Sequence, residues 1–253
     1  MKRWVKEPAY RIADVLLPRG IETIIDGQRV RLGTRWFRYF GPKGTEYEPR
    51  TTQFILESCK PGMTFVDVGA HYGFFSVLAA RQVGKGGKVF SFEPAPNTRT
   101  VLEQTIHLND CTNVCVEPLA LSRKSGTATF YCSVESGNPA NSLVNLNDDL
   151  HKPLQVKMTT LDEYVQSRGV KIDVIKIDAE GAELDVLSGG STVWRTQKPL
   201  LHLSFHPRQI RLNGHSIAEI VEFLRSHSYH LRAGSFDEHL NKDDLFDLIL
   251  EPN

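Results

Sequence analysis

The chain has 253 residues, long enough to bury a sizeable core in one α/β domain with additions. Hydrophobic residues make up 40% and charged residues 24%, an ordinary balance for a globular protein. Lys+Arg and Asp+Glu both number 30, so the formal net charge is zero, without the basic excess that a nucleic-acid enzyme uses to neutralise phosphates.

A short basic start (Lys2, Arg3, Lys6) is interrupted by Glu7, Pro8, Arg11 and Asp14. No apolar run approaches membrane-spanning length, so the expectation is a cytoplasmic protein with no membrane or nucleic-acid partner. Cys59, Cys111, Cys115 and Cys132 form no CxxC pair and read as free core thiols.

Residues 1–50 read as a β-rich lead-in or cap, and 51–253 as the main domain. In the lead-in, Thr23–Ile25 and Gln28–Leu32 flank Asp26-Gly27, which suits a type I′ hairpin turn. Trp36, Phe37, Tyr39 and Phe40 then form an aromatic cluster that either packs on the core or walls a pocket. From Thr51 onward strands and helices alternate. A short helix around Gln53, Ile55 and Leu56 precedes the strand Thr64–Val68. A helix follows with Phe75, Leu78 and Ala79 on one face, then the strand Lys88–Phe92. Val101, Leu102, Thr105 and Ile106 mark the next helix, and Val114–Glu117 a third strand running into Pro118–Leu121.

An insertion comes next. Thr127–Tyr131 and Leu154–Met158 read as strands, and 133–153 as a long polar loop. The loop segment Gly137–Ser142 either closes over a ligand or is a solvated connector. After a short helix at Leu161–Val165, the strand Asp173–Asp178 leads to a helix at Ala182–Leu187, which stops at Gly189-Gly190 as a C-terminal cap. Leu200–Phe205 is a fifth strand, and Ser216–Glu219 a capping box ahead of a helix with Ile217, Ile220, Val221 and Leu224 on one face. Tyr229–Ala233 and Leu245–Leu250 are closing strands. This alternation implies a mostly parallel, doubly wound sheet, with ligands at the carboxyl ends of the strands. Asp67, Glu93, Ala120 and Asp178 fall at such ends and are expected to face one crevice.

The most telling stretch is Phe65–Ser76, a buried strand, a glycine turn and a helix start. A second acid, Glu93 of Glu93-Pro94, follows Gly69 by 24 residues, near the spacing of a ribose-binding acid in a nucleotide βαβ unit. The turn is Gly69-x-x-x-Gly73 preceded by Asp67, not G-x-G-x-x-G. A carboxylate there would repel a pyrophosphate, but it has the right sign for the sulfonium and ammonium of S-adenosylmethionine. In this reading Gly69, Ala70 and Gly73 admit the methionine end. Amides around His71, Tyr72 and Phe74 meet its carboxylate, and Glu93 accepts both ribose hydroxyls.

Phe65–Ser76, Phe92–Pro94, Ala120–Ser122, Thr160–Asp162 and Ile175–Glu183 together resemble the successive motifs of FkbM-type methyltransferases, over roughly residues 50–206. The block Lys176-Ile177-Asp178-Ala179-Glu180-Gly181-Ala182-Glu183 is the most specific part. The resemblance implies a class I, Rossmann-like methyltransferase sheet of about seven strands with the last antiparallel. It also implies an S-adenosylmethionine-dependent enzyme that methylates hydroxyls of sugars, glycans or natural products. The chain departs from the family at His71, where Asn is usual, and at Ser204, near which many members carry an acid.

An alcohol acceptor benefits from a general base or a metal. Asp178 ends its strand and is the leading base candidate, or else a structural or cofactor-amine contact. Lys176 points to the same side by strand alternation and either holds Asp178 ionised or fills a buried ion pair. Glu180 and Glu183 begin the next helix, where negative charge also suits the dipole. His202, Ser204 and His206 are placed on one face of the fifth strand, with His206 a second base candidate. Neither that trio nor Asp178 with Glu180 is a specific metal signature, and no metal is expected. Two other functions stay open: a nucleotide-dependent oxidoreductase and a non-catalytic cofactor-binding module.

Overall fold

The structure is a computed structural model, which describes residues 12–34, 36, 37, 46–133, 141–145 and 151–253. Tyr39, Phe40, the basic start and most of the 133–153 loop lie outside the described residues.

Strands β1 (Ile21–Ile25) and β2 (Gln28–Leu32) pair antiparallel. Asp26 and Gly27 take φ of 47° and 74°, the two positive values a type I′ turn requires. Helix α1 (Pro49–Ser58) starts on a proline and leads to β3 (Thr64–Val68), α2 (Phe74–Val83), β4 (Lys88–Phe92), α3 (Pro96–Leu108) and β5 (Val114–Glu117). After β6 (Leu119–Leu121), β7 (Gly126–Ser133) and β8 (His151–Thr159), the alternation resumes. It continues with α4 (Leu161–Arg168), β9 (Val174–Ile177), α5 (Glu183–Ser188), α6 (Ser191–Thr196) and β10 (Leu200–Phe205). The chain closes with α7 (Pro207–Leu212), α8 (Ile217–Ser226), β11 (Tyr229–Leu231) and β12 (Phe246–Pro252).

The main sheet has seven strands in the order β11-β12-β10-β9-β3-β4-β5. β10, β9, β3, β4 and β5 are parallel, and the last strand, β12, runs antiparallel to both its neighbours. This is the expected mixed, doubly wound α/β architecture. One part was not anticipated: β6, β8 and β7 leave the main sheet and form a separate three-stranded sheet. Pro118, which has no N–H for a ladder, stands between β5 and β6 where the chain changes sheets. β8 also starts earlier than expected, at His151.

Strand alternation splits the core across the sheet. Val66, Val68, Ile175, Ile177, Leu201 and Leu203 pack on one side with α4, α5, α6 and α8. Phe65, Val89 and Val174 pack on the other with α1, α2, α3 and the β1–β2 hairpin, whose Ile25, Val30 and Leu32 are buried there. The lead-in thus shares a core with the sheet. All four cysteines are free thiols. No helix among the described residues is long and apolar enough to cross a membrane.

Gly189 caps α5 as expected, its amide donating to the Asp185 carbonyl, but with φ −74° rather than the left-handed conformation common in glycine caps. It is glycine because a Cβ there would lie 2.1 Å from the Ser122 carbonyl oxygen.

Candidate active site

A cleft opens at the carboxyl ends of β3, β4 and β9. It holds about 830 Å³ of empty space, open solvent at its mouth included. Of the expected cofactor residues, Gly69, Ala70, His71, Tyr72, Gly73, Phe74, Glu93, Pro94, Ala120 and Asp178 all line it. Lys176 and Glu180 line it as well. Asp67 and His206 do not.

The glycine turn brings two strand ends together. Gly69 has φ 75°, and a Cβ on it would lie 2.0 Å from the Asp178 carbonyl oxygen. No other residue type fits that approach. Gly73 has φ 87°, and its Cβ would meet Leu102 Cδ1 at 2.4 Å.

Glu93 is held by main chain. Its Oε2 accepts the His71 amide at 3.1 Å and its Oε1 the Ala95 amide at 2.9 Å. Each oxygen keeps a lone pair for a further donor. Burial pushes the carboxyl up to about 8 despite those two amides. The His71 amide is therefore committed to Glu93, not available to a methionine carboxylate. The His71 ring stacks on Tyr72 at 3.8 Å, and burial pushes its pKa down to about 4, so it is neutral. Trp36 meets Tyr72 edge-on at 5.3 Å and lines the cleft, so this part of the aromatic cluster serves core and pocket together. Tyr47 also lines the cleft. It carries no motif, and only its closeness to the aromatic cluster in sequence hinted at it.

Asp67 takes a different place from the one expected. It is fully buried, accepts from Ser76 Oγ at 2.6 Å and lies 3.9 Å from Lys176 Nζ. The strand register explains this: Ser91, Asp67, Lys176 and His202 stand opposite one another on β4, β3, β9 and β10. They make a buried polar row on one side of the sheet. Lys176, 1% exposed, reaches past the row to Asp178 Oδ2 at 3.2 Å, as the alternation of β9 predicts. Burial opposes the charge of Asp178, but Lys176 and His206 outweigh it and hold the carboxyl below its usual range.

His202 and His206 do not share an environment. His202 Nε2 lies 3.2 Å from Thr51 Oγ1 and its ring packs on Phe54; burial pushes it down to about 4. It is a neutral core residue. β10 ends at Phe205, and His206 is the N-cap of α7, so strand alternation stops before it. Its ring turns to the segment after β9. Nδ1 pairs with Glu183 Oε1 at 2.8 Å, and Nε2 lies 3.5 Å from both Asp178 Oδ1 and Glu180 Oε2. Burial opposes its charge, but the Glu183 bond and the three carboxylates raise it to about 10. The expected near-neutral histidine base is thus an imidazolium at neutral pH. Burial pushes Glu180 up to about 7.

The FkbM methyltransferase domain model matches residues 67–231. Among curated relatives, hexuronic acid methyltransferase AglP of Haloferax volcanii is 30% identical over 145 residues, covering 56% of either chain. Methyltransferase 1 of Beauveria bassiana is 25% identical over 146 residues, 49% of this chain and 57% of its own. Methyltransferase sdnD of Sordaria araneosa is 26% identical over 177 residues, 58% of this chain and 68% of its own. The chain thus spans little more than half the length of the first two relatives. A crystal structure of a Clostridium thermocellum protein that carries the provisional name of an rRNA methylase has a TM-score of 0.50 at 12% identity, covering 81% of this chain and 94% of that one. That likeness shows the fold alone. With the glycine turn, Glu93 and residues of the Lys176–Ala182 stretch lining one cleft, and the family model spanning them, the chain belongs to the FkbM methyltransferases, a family that uses S-adenosylmethionine.

Proposed function

We propose that the protein methylates a hydroxyl oxygen of a sugar or glycan, with a uronic acid the first acceptor to try. The observation that carries this reading is the ionised Asp178 at the cleft, fixed by Lys176 and backed by His206. The AglP relative, which acts on a hexuronic acid by name, supports the acceptor class.

Bound S-adenosylmethionine supplies a methyl group already activated by its sulfonium. The chain's residues do the rest. Glu93 is aimed by two amides to accept ribose hydroxyls. Phe92, Leu119 and Ala120 give an apolar wall for the base. The turn from Gly69 to Gly73 leaves main chain, not side chain, against the methionine end. Asp178, kept as a carboxylate, orients the acceptor hydroxyl and receives its proton. His206 and Lys176 hold that carboxylate in place. Neutral sugars and uronic acids, incubated with methyl-labelled S-adenosylmethionine and read by mass spectrometry, test the reading. A label on a hydroxyl oxygen is the expected outcome; transfer only to nitrogen, carbon or carboxylate would sink it.

A further inference from the structure

We propose that Asp178, Glu180 and His206 form a site for one divalent cation at the mouth of the cofactor cleft, and that an acceptor oxygen completes its coordination. The second clause rests on the acceptor reading above; the first stands on geometry alone.

His206 Nε2 is 3.5 Å from Asp178 Oδ1 and 3.5 Å from Glu180 Oε2. Both separations exceed a sound hydrogen bond. They are the separations of ligands around a shared ion: atoms about 2.1 Å from a metal at a near-tetrahedral angle lie about 3.4 Å apart. The three ligand atoms all fall within 4.8 Å of one another.

Two independent observations point the same way. The His206 side chain is only 5% exposed, and its Nε2 is aimed at the two oxygens without a bond of ordinary length to either. Asp178 Oδ1 is a buried oxygen with no hydrogen-bond partner among the described residues. The other ring nitrogen is fixed by Glu183, a fully buried carboxylate at 2.8 Å, itself braced by the Gly181 amide at 3.0 Å. An entering ion displaces the Nε2 proton of the metal-free imidazolium to solvent, and the carboxylate on the far nitrogen keeps the remaining proton on Nδ1, the usual support of a metal-bound imidazole. Glu180 reaches this place through a left-handed backbone, φ 49°. Gly181 follows it with φ 100°, and a Cβ there would meet Gln209 Cβ at 2.5 Å. One nitrogen and two carboxylate oxygens suit Mn²⁺ or Zn²⁺ better than a soft ion. Asp178 and Glu180 both line the cleft, so open coordination positions would face a hydroxyl or a uronate carboxylate.

The test uses the whole chain, stripped with EDTA and saturated with S-adenosylhomocysteine. MnCl₂ is titrated in while free Mn²⁺ is followed by its electron paramagnetic resonance, with Zn²⁺ as competitor in calorimetry. One ion per chain is the expected result. Glu180→Gln should weaken binding at least about 10-fold, and Glu183→Gln about 10–100-fold through loss of imidazole support. Both variants should keep S-adenosylhomocysteine affinity, which also shows that they fold. Neither ion binding the wild type, or binding that both substitutions leave unchanged, would overturn the site. The two readings fail separately. Glu180-dependent Mn²⁺ binding without methylation of any hydroxyl acceptor removes the acceptor reading and leaves the site. Undiminished O-methylation in EDTA by protein that binds no ion removes the site and leaves the acceptor reading.

Discussion

The two ends of the cleft are built by different means. At the end we assign to the donor, main chain sets the geometry: the Gly69–Gly73 turn lines it, and the amides of His71 and Ala95 aim the Glu93 carboxylate. At the end we assign to the acceptor, the geometry is set by side chains of two distant segments, 176–183 and 206, in a mesh of buried opposite charges. A site made of backbone survives changes of side chain, whereas a site made of converging charges is lost when one member changes. On our assignment, the first end is suited to a constant ligand and the second to a selective one.

Four substitutions can break or sharpen this contrast. The largest effect is expected from Asp178→Asn. Turnover should fall on the order of 10²–10⁴-fold, as for loss of a proton acceptor. S-adenosylhomocysteine affinity by calorimetry should fall far less. An equal loss in both would move Asp178 to the donor end. Next is Gly69→Ala, which must force a Cβ against the Asp178 carbonyl from a positive φ. Denaturant unfolding should show a loss on the order of 2 kcal/mol or more.

Glu93→Gln comes third. Losing a charged acceptor for hydroxyl donors should cost about 1.5–3 kcal/mol of cofactor binding, while turnover at saturating cofactor holds. This carboxyl also sets a pH dependence. Its pKa is about 8 in the free protein, and ribose donors favour the ionised form. Binding should therefore release a proton below that pH. Affinity should rise between about pH 6 and 8 and level off above. In Glu93→Gln that share of the slope should vanish, leaving whatever Glu180 contributes. For the free protein the sign is opposite. The folded state keeps a proton that the unfolded chain gives up above about pH 4.5, so Glu93's contribution to stability declines as pH climbs towards 8. The smallest functional change is expected from Asp67→Asn, since that side chain is off the cleft. It should lower stability by loosening Lys176 yet weaken cofactor binding less than Glu93→Gln does. The reverse ranking would restore Asp67 to direct contact.

Legibility in the sequence follows the same divide. Glu93, Gly69 and Gly73 were readable because a strand, a tight turn and a ribose-side acid have fixed spacings along the chain. Lys176 beside Asp178 was readable from strand alternation. Asp67 lies off the cleft, although its position in the motif suggests a cofactor contact. What places it in the interior is its register against Ser91 and Lys176, and register is set between strands. His206 misled for a related reason: alternation was extended one residue past the end of β10, into the cap of α7. Its meeting with Glu183, Asp178 and Glu180 depends on a parallel pairing of β9 with β10 that no local pattern encodes. The second sheet escaped notice because β6 is only three residues long. Ser142, whose hydroxyl reaches the Glu180 carbonyl at 2.6 Å, lies in a stretch with no periodicity to read.

The absent side chain of Gly69 has a consequence for alignment. Its Cα rests against the carbonyl of Asp178, the residue that follows β9, with no space for even a methyl group between them. Methyl transfer tolerates little error in the gap between donor and acceptor. Here the turn that we assign to the donor and the backbone of Asp178 are in direct contact, which fixes the spacing between them. Variation in side chains around the mouth can then change which molecule is gripped without changing how far the methyl group must travel.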